Sequence, residues 1–290
     1  MAVYELKAEI ELPVVGAWDD FLVEHEEQRL MVLEDKPSAR AWLTGYFDSR
    51  EAAMLAWELL TAAGPAGGRI GDPALRELPD TDWKDSYKAH FKAWKFGRLH
   101  WVPVWERATF QCPVGEQVLW LDPGMAFGTG NHETTRLVVE RLVTFAKQQG
   151  TNGRVIDAGC GSGILALSAL KLGFTDVVAF DNDAEAVQVS GENAVLNDLA
   201  GRARFFTGDL VTGLKGRQAE LVMANIQADV LMRFSPQLLE AVAPAGSLVL
   251  SGILKVELTQ VAQVFSAAAP DWKVESSIMG EWSDLVMRRG

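Results

Sequence analysis

The stretch RVIDAGCGSG at residues 154–163 contains the signal that decides the fold of this chain. Its first half is rich in strand formers, and its glycines at 159, 161 and 163 let the backbone turn tightly and approach a ligand closely. The apolar run ILALSALKL that follows at 164–172 is typical of a helix. The stretch therefore predicts a buried strand, a glycine-rich turn and a helix whose free N–H groups face a binding site.

The spacing of these glycines, and the acid before them, restrict the ligand. Residues 159–163 do not follow the GxGxxG pattern of dinucleotide-binding folds, and no Gly-Lys-Ser/Thr follows for a nucleotide phosphate. A carboxylate at Asp157 would repel a pyrophosphate and suits a ligand with a cationic end. The layout of Asp157, Gly159, Gly161 and Gly163 looks like motif I of the S-adenosylmethionine (SAM) methyltransferases. The alternative is a tight strand-to-helix turn in another α/β fold.

Composition bounds the class of protein. The 290 residues, 48% hydrophobic and 23% charged, are typical of a soluble globular protein with one large or two ordinary domains. The apolar runs are short, and the N-terminus has no apolar core, so we expect neither a membrane span nor a signal peptide. Two cysteines, Cys112 and Cys160, give no disulfide framework and no CxxC zinc pattern, which favours a reducing cytoplasm and no metal site. A net charge of −12 argues against nucleic acid as the main ligand and is compatible with a basic protein partner.

The order of predicted elements divides the chain into two domains. The first 78 residues alternate in the order β-α-β-β-α-β, which is the ferredoxin-like α+β arrangement, and the last of these strands is predicted at 74–78. An aromatic segment follows, which includes Trp83, Trp94, Trp101 and Trp105. We expect it to join the domains because so many aromatic side chains are costly to expose. The predicted limits are 1–66 for a substrate-recognition domain, 67–105 for the linker and aromatic junction, and 106–290 for the larger domain.

Polar residues follow four predicted strands of the larger domain, namely Asp157, Asp181, Asp209 and Asn225. Repeated βα units place the carboxyl ends of parallel strands at one edge of a sheet, so these side chains should share a crevice. An acid about 20 residues after a glycine turn, here Asp181, is the usual acceptor for ribose hydroxyl groups. Two final strands at 272–278 and 285–288 make a mostly parallel, seven-stranded, Rossmann-like sheet.

Four further strings carry a family resemblance: LDPGMAFGTGNHETT at 121–135, VIDAGCGSGILALSALKLG at 155–173, NIQADVL at 225–231 and LSGIL at 250–254. Together they resemble the ribosomal protein L11 methyltransferase family (PrmA), a class I SAM-dependent methyltransferase family. The combination of the glycine-rich loop with motif I is specific, whereas motif I alone is not. An upstream string is similar to that family's domain junction, with Trp83, His90-Phe91, Phe96-Gly97, Trp101, Pro103 and Trp105. The resemblance therefore covers residues from about 83 to 290.

The resemblance implies a set of cofactor and catalytic residues. SAM contacts are expected at Thr135, Asp157, Gly159, Gly161, Gly163, Asp181, Asp209 and Asn225. The Asn225 side chain and the Ile226 carbonyl are expected to orient the acceptor amine, and Phe127 to wall the methyl channel. The chain departs from the family pattern at Gln227, where Leu is usual, and at Asn131 and Glu133, which flank His132 where Thr-His-Pro is common.

The implied activity is SAM-dependent N-methylation of lysine ε-amines, the N-terminal α-amine, or both, on ribosomal protein L11. The small domain would dock this basic substrate, and a monomer that requires no nucleic acid is expected. A lysine amine has a pKa of ~10.4 and must lose its proton before it can attack, so desolvation or an acceptor such as His132 or Glu133 is needed. The alternatives are a methyltransferase for another protein or a small amine, a SAM-binding protein without catalysis, and, more remotely, an NAD enzyme.

Overall fold

The computed structural model describes residues 3–24, 30–35, 40–64, 70–78, 93–122 and 132–290, in two compact units, Met1–His90 and Phe91–Gly290. The first unit contains the strands and helices β1 (Val3–Ile10), α1 (Val15–Glu24), β2 (Leu30–Asp35), β3 (Arg40–Phe47), α2 (Arg50–Ala63) and β4 (Ala74–Leu78). Its sheet has the order β2-β3-β1-β4 with antiparallel pairing throughout. This is the β-α-β-β-α-β, ferredoxin-like arrangement that the sequence predicted.

Local sequence explains the limits of this unit's elements. Helix α2 begins after Ser49, whose hydroxyl accepts a hydrogen bond from Ala52 N at 3.1 Å. Leu6 on β1 and Leu43 on β3 are fully buried beside Trp18 of α1. Strand β4 pairs with β1, so the first sheet continues beyond residue 66 to Leu78. The limits 1–66, 67–105 and 106–290 stay a prediction.

A small three-stranded sheet opens the second unit. Strand β5 (Trp94–Phe96) pairs antiparallel with β6 (Leu99–Pro103), and β6 pairs parallel with β7 (Gln117–Leu121). Trp101 is fully buried, and its Nε1 donates to Ser168 Oγ at 2.9 Å. This tryptophan of the predicted aromatic junction therefore packs within the second unit's own core, whereas Trp83 lies outside the described residues.

The second unit is built on a seven-stranded sheet with the order β10-β9-β8-β11-β12-β14-β13. Its strands are β8 (Arg154–Ala158), β9 (Asp176–Asp181), β10 (Ala203–Thr207), β11 (Ala219–Asn225), β12 (Val242–Leu254), β13 (Lys273–Met279) and β14 (Trp282–Arg288). Its helices are α3 (Glu133–Gln149), α4 (Ile164–Leu172), α5 (Ala184–Leu196), α6 (Ala228–Arg233), α7 (Ser235–Glu240) and α8 (Leu258–Ala268). Strand β14 runs antiparallel to both of its neighbours, β12 and β13, and the other four described strand pairs of this sheet are parallel, which confirms the predicted mostly parallel fold.

Helices cover both faces of this sheet. Val155 of β8 belongs to the core cluster that includes α4, and the next residue, Ile156, belongs to the cluster on the opposite face. A strand that is buried on both faces needs consecutive apolar residues, which explains the unbroken apolar runs in the sequence. The carboxyl ends of β8 to β12 consequently meet at one edge of the sheet. Within the part of the chain that the structure describes, none of the helices is long and apolar enough to cross a membrane.

Candidate cofactor and acceptor site

The turn between β8 and α4 has the backbone that its glycines make possible. Gly159, Gly161 and Gly163 have φ angles of +79°, +51° and +77°, which residues with a side chain rarely adopt. The amides of Gly159 and Cys160 both donate to the Phe180 carbonyl, at 2.9 and 3.0 Å. These hydrogen bonds fasten the turn to the end of β9, so the first two strand ends form a single site.

Two side chains of α5 hold the same turn from its other side. Ser190 Oγ donates to the Gly161 carbonyl at 2.8 Å, and Asn193 Nδ2 donates to the Ser162 carbonyl at 2.9 Å. Sequence reasoning missed both residues. Their spacing of three places them on one face of the helix, which is the only local signal that could have suggested a shared partner.

Asp157 is fully buried at the end of β8. Its Oδ2 accepts a hydrogen bond from Ala166 N in the first turn of α4 at 3.0 Å, whereas its Oδ1 has no partner among the described residues. Burial raises the pKa of this carboxyl to about 7; the Ala166 hydrogen bond opposes the rise, and the negative charge of Asp181 adds to it. A buried acceptor without a partner is costly, so a cationic group at Oδ1 would satisfy the site.

Asp181 ends β9 and is half-buried. Its Oδ2 accepts from Gly161 N at 2.9 Å, and its Oδ1 accepts from Asp183 N at 3.1 Å. An ionised carboxylate offers about four lone-pair positions, so about two remain for hydroxyl groups. Asp181 therefore both supports the glycine turn and keeps capacity for a ligand.

Asp209 lies close to Asp181 because the amide of the preceding Gly208 donates to the Asp181 carbonyl at 2.8 Å. It is exposed, and its Oδ1 accepts from Val211 N, Thr212 N and Thr212 Oγ1 at 3.0, 2.6 and 2.7 Å. These hydrogen bonds, led by the Thr212 amide, lower the pKa of the Asp209 carboxyl. The turn that it stabilises already accounts for one oxygen, so only Oδ2 is available to a ligand.

Asn225 ends β11 and faces the start of α3. Its Nδ2 donates to Thr135 Oγ1 at 3.3 Å, and Thr135 is buried. The next residue, Ile226, donates its amide to the Ser251 carbonyl at 3.2 Å. The structure thus brings together two predicted site residues that are 90 positions apart in the sequence.

Ile226 lies between two glycines. A Cβ atom at Gly159 would lie 2.6 Å from Ile226 Cγ2, and one at Gly252 would overlap the Ile226 carbonyl group. Gly252 also has a φ of +82°. Glycine at both positions therefore lets Ile226 pack closely against the turn after β8 on one side and against β12 on the other.

The glycine-rich loop before α3 lies mostly outside the described residues, so the predicted positions of Phe127 and Asn131 stay predictions. His132 begins the described part and caps α3, with its Nδ1 2.8 Å from Thr134 Oγ1. Its ring contacts Trp282 of β14, with 4.9 Å between ring centroids. Glu133 lies 3.2 Å from Arg136 Nη2, so these two predicted proton acceptors already have partners within the protein.

The strand order with an antiparallel β14, the glycine turn after β8 and the acid after β9 define a class I methyltransferase fold. The sequence model of the family described as ribosomal protein L11 methyltransferase (PrmA) matches residues 14–290. The chain belongs to this family. The match begins at residue 14, so the similarity extends into the first unit, well before the range of 83–290 expected from the motifs.

Individual relatives agree with the family match. A protein of Geobacter metallireducens named ribosomal protein L11 methyltransferase is 35% identical over 307 aligned positions, which cover 99% of this chain and 98% of the relative. A protein of the same name from Pelobacter propionicus is 41% identical over 227 positions, 77% of this chain and 72% of the relative. A crystal structure of ribosomal protein L11 methylase from Lactobacillus delbrueckii subsp. bulgaricus superposes with a TM-score of 0.60 at 31% identity, covering 69% of this chain and 100% of that one.

Proposed function

We propose that this chain is a SAM-dependent protein N-methyltransferase that methylates amino groups of ribosomal protein L11. The observation that carries the proposal is the buried Asp157 carboxylate, which has one oxygen without a partner among the described residues, beside a turn whose three glycines have positive φ angles. A cofactor with a cationic amino acid end fits such a site, and a pyrophosphate does not. The L11 substrate rests on the names of the relatives.

The site residues suit SAM in the following way. Asp157 Oδ1 would accept from the ammonium of the methionine end, and Gly159, Gly161 and Gly163 would let the backbone lie against the ligand. Asp181 would accept from the ribose hydroxyl groups with its remaining lone pairs. SAM supplies a methyl group on a positively charged sulfur, which an amine displaces directly.

Three further predicted cofactor contacts complete the set. Thr135 and Asn225 would contact SAM from the side of α3, where their own hydrogen bond fixes both side chains. Asp209 would use its Oδ2 for the adenine end, since its Oδ1 is occupied by the turn. The turn alone also accounts for an aspartate at this position.

The acceptor amine must lie in line with the methyl group and the sulfur. We propose that the Asn225 amide oxygen and the Ile226 carbonyl hold the amine, and that Phe127 walls the channel. Positioning of this kind can supply up to about 7–11 kcal/mol of the barrier reduction. A free lysine amine has a pKa of ~10.4, so removal of water around it must favour the neutral form. The protein would thus bind SAM, orient the acceptor amine and remove water from around it, and the reaction needs no covalent nucleophile from the protein.

The partner proposal follows from charge. A chain with a net charge of −12 favours a basic protein substrate over nucleic acid. We propose that the first unit docks this substrate and that the enzyme acts as a monomer in the cytoplasm.

The decisive assay combines purified L11, labelled SAM and three forms of the enzyme. Asn225→Ala should lower the rate of methyl transfer on the order of a hundredfold, because it removes an oriented polar group at the reacting amine. Asn152→Ala makes the same chemical change at an exposed position before β8 and should leave the rate unchanged. Mass spectrometry of the product identifies the modified amines. Full transfer by Asn225→Ala would contradict the orienting role.

Cofactor binding is measured separately. Asp181→Ala should weaken SAM binding, because it removes the ribose acceptor and one support of the glycine turn. Unchanged affinity would refute the ribose assignment. SAM binding without any transfer to L11, to proteins of a cell extract or to small amines would favour a non-catalytic SAM-binding protein, and tighter binding of NAD than of SAM would exclude the methyltransferase proposal.

A further inference from the structure

A cleft of about 360 Å³ opens at the amino-terminal edge of the parallel strands, at the opposite end from the glycine turn. Its lining includes Arg154 at the start of β8, Arg202 and Arg204 at the start of β10, and Arg217 before β11. Asp176 is the only carboxylate in this lining. Four arginines thus line one cleft of a chain whose net charge is −12.

The carboxylates near the cleft are already engaged. Asp176 Oδ2 lies 2.8 Å from Arg154 Nε, and Glu220 Oε2, beside the cleft, accepts from the Arg154 amide at 2.6 Å. Among the residues that the structure describes, no carboxylate lies within ion-pair distance of the other three arginines. Their positive charge is therefore not balanced within the described protein.

Two of these arginines are held against one aromatic ring. The Cζ atoms of Arg204 and Arg217 lie 5.5 and 4.9 Å from the centre of the Phe206 ring. Arg217 Nη1 also donates to the Gly213 and Thr212 carbonyls, at 2.9 and 3.3 Å. The ring and the carbonyls thus fix the Arg217 side chain, and the same ring holds Arg204.

Arg202 completes the cleft from a turn. It is exposed and follows Gly201, which has a φ of +71°; its amide donates to the Leu199 carbonyl at 3.0 Å, whereas its side chain makes no described polar contact. Its side chain is therefore available to a ligand without the loss of an existing bond.

We infer that this cleft binds the phosphate group of a small phosphorylated ligand. Guanidinium groups match phosphate oxygens with paired hydrogen bonds, and arginines fixed in advance lose less freedom on binding. The volume of about 360 Å³ falls in the range of small-molecule sites. The length of β9 separates the cleft from Asp181, so the inference does not depend on the proposed methyl transfer.

The test is calorimetric titration of the full chain with inorganic pyrophosphate and, separately, with a single-stranded RNA hexamer. Arg202→Gln and Arg204→Gln should each weaken binding of the effective probe by about tenfold or more, since each removes a charged donor. Arg233→Gln is the matched control, because Arg233 is exposed and lies over the Phe234 ring at 5.3 Å, away from the cleft. It should bind like the unmodified chain.

The two probes distinguish the source of the phosphate. Saturable pyrophosphate binding that only the cleft variants lose supports a small phosphorylated ligand, whereas preferential RNA binding lost in the same variants would assign the cleft to an RNA backbone and overturn the inference. If neither probe saturates, if the control loses as much affinity as the cleft variants, or if the cleft variants bind normally, the inference is wrong. Thermal melting of each variant shows whether a loss of affinity reflects a loss of fold, and the exposed Arg202→Gln should melt as the unmodified chain does.

Discussion

Asp157→Asn should remove the pH dependence of SAM binding. In the free protein, burial raises the pKa of Asp157 from its ordinary value of 3.8 to about 7. The carboxyl is then largely neutral in mildly acidic solution, and its Oδ1 has no partner among the described residues. A cationic ammonium beside Oδ1 favours the charged form, so binding should release a proton.

The size of the effect follows from this linkage. A neighbouring positive charge lowers the pKa of a carboxyl by about 1–3, which would bring Asp157 to about 5 in the complex. With a pKa near 7 in the free protein, the affinity should rise by roughly tenfold between about pH 5.5 and about pH 7. Near neutral pH, about half a proton should leave for each SAM molecule bound.

The free energy of unfolding of the free protein should fall as the pH rises, whereas the affinity for SAM should increase. The raised pKa of Asp157 contributes stability that is complete below its ordinary value of 3.8 and is lost as the pH rises through about 7. The difference between these pKa values corresponds to about 4 kcal/mol for a fully buried group, as an order of magnitude. In Asp157→Asn this part of the pH dependence should disappear.

Calorimetric titration of SAM in buffers with different ionisation enthalpies measures both the affinity and the protons released. The range stays below about pH 7.5, because the α-amine of the ligand has a pKa of about 7.7–8.0. Asp198→Asn is the control, since Asp198 is exposed and has a φ of +60° that asparagine tolerates. Asp198→Asn should keep the pH dependence of the unmodified chain. The reasoning is refuted if the unmodified chain shows no pH dependence, or if Asp157→Asn shows the same one.

Two further predictions concern the backbone and the core. Gly159→Ala should weaken SAM binding and lower the free energy of unfolding by about 1–2 kcal/mol or more, because it adds left-handed backbone strain and a Cβ 2.6 Å from Ile226 Cγ2. Calorimetric titration measures the affinity, and denaturant unfolding measures the stability. An unchanged affinity would contradict a close approach of SAM to this turn. The Asp284 carboxylate is 1% exposed and lies 2.7 Å from Arg141 Nε. Arg141→Met should therefore lower the free energy of unfolding by about 3–5 kcal/mol, because it leaves this buried carboxylate without its charged partner; denaturant unfolding measures the loss. Glu275→Gln, at the exposed side of the same cluster, should cost less than about 1 kcal/mol, and equal losses in the two variants would show that burial is not the cause.

The parts of the site that lie along one strand and turn could be predicted from the sequence. Asp157 and Asp181 lie at the carboxyl ends of β8 and β9, as the alternation of strands and helices predicted, because a parallel sheet has the carboxyl ends of its strands at one edge. The ferredoxin-like order of the first unit was predictable for a similar reason, since each element has its own periodicity.

The contacts between distant elements could not be predicted. Nothing in the local pattern of α5 indicates that Ser190 and Asn193 hold the glycine turn, because their partners are backbone carbonyls about 30 residues away. The sequence also does not indicate that only one carboxylate oxygen of Asp209 is available to a ligand, because an aspartate that stabilises a turn and an aspartate that binds a ligand have the same local sequence pattern. Local patterns specify elements, whereas tertiary packing decides which polar atoms remain available.

Ile226 acts as a spacer between two segments that the chain keeps free of side chains. On one side its Cγ2 occupies the space that a Cβ at Gly159 would need, and on the other its main chain fills the space in front of Gly252. Movement of either segment must therefore displace this one residue. The side chain of residue 226 sets the clearance at Gly159, whereas its main chain sets the clearance at Gly252. A smaller residue at 226 should relieve the steric part of the cost of Gly159→Ala but not its left-handed strain, and it should leave the main-chain contact at Gly252 unchanged.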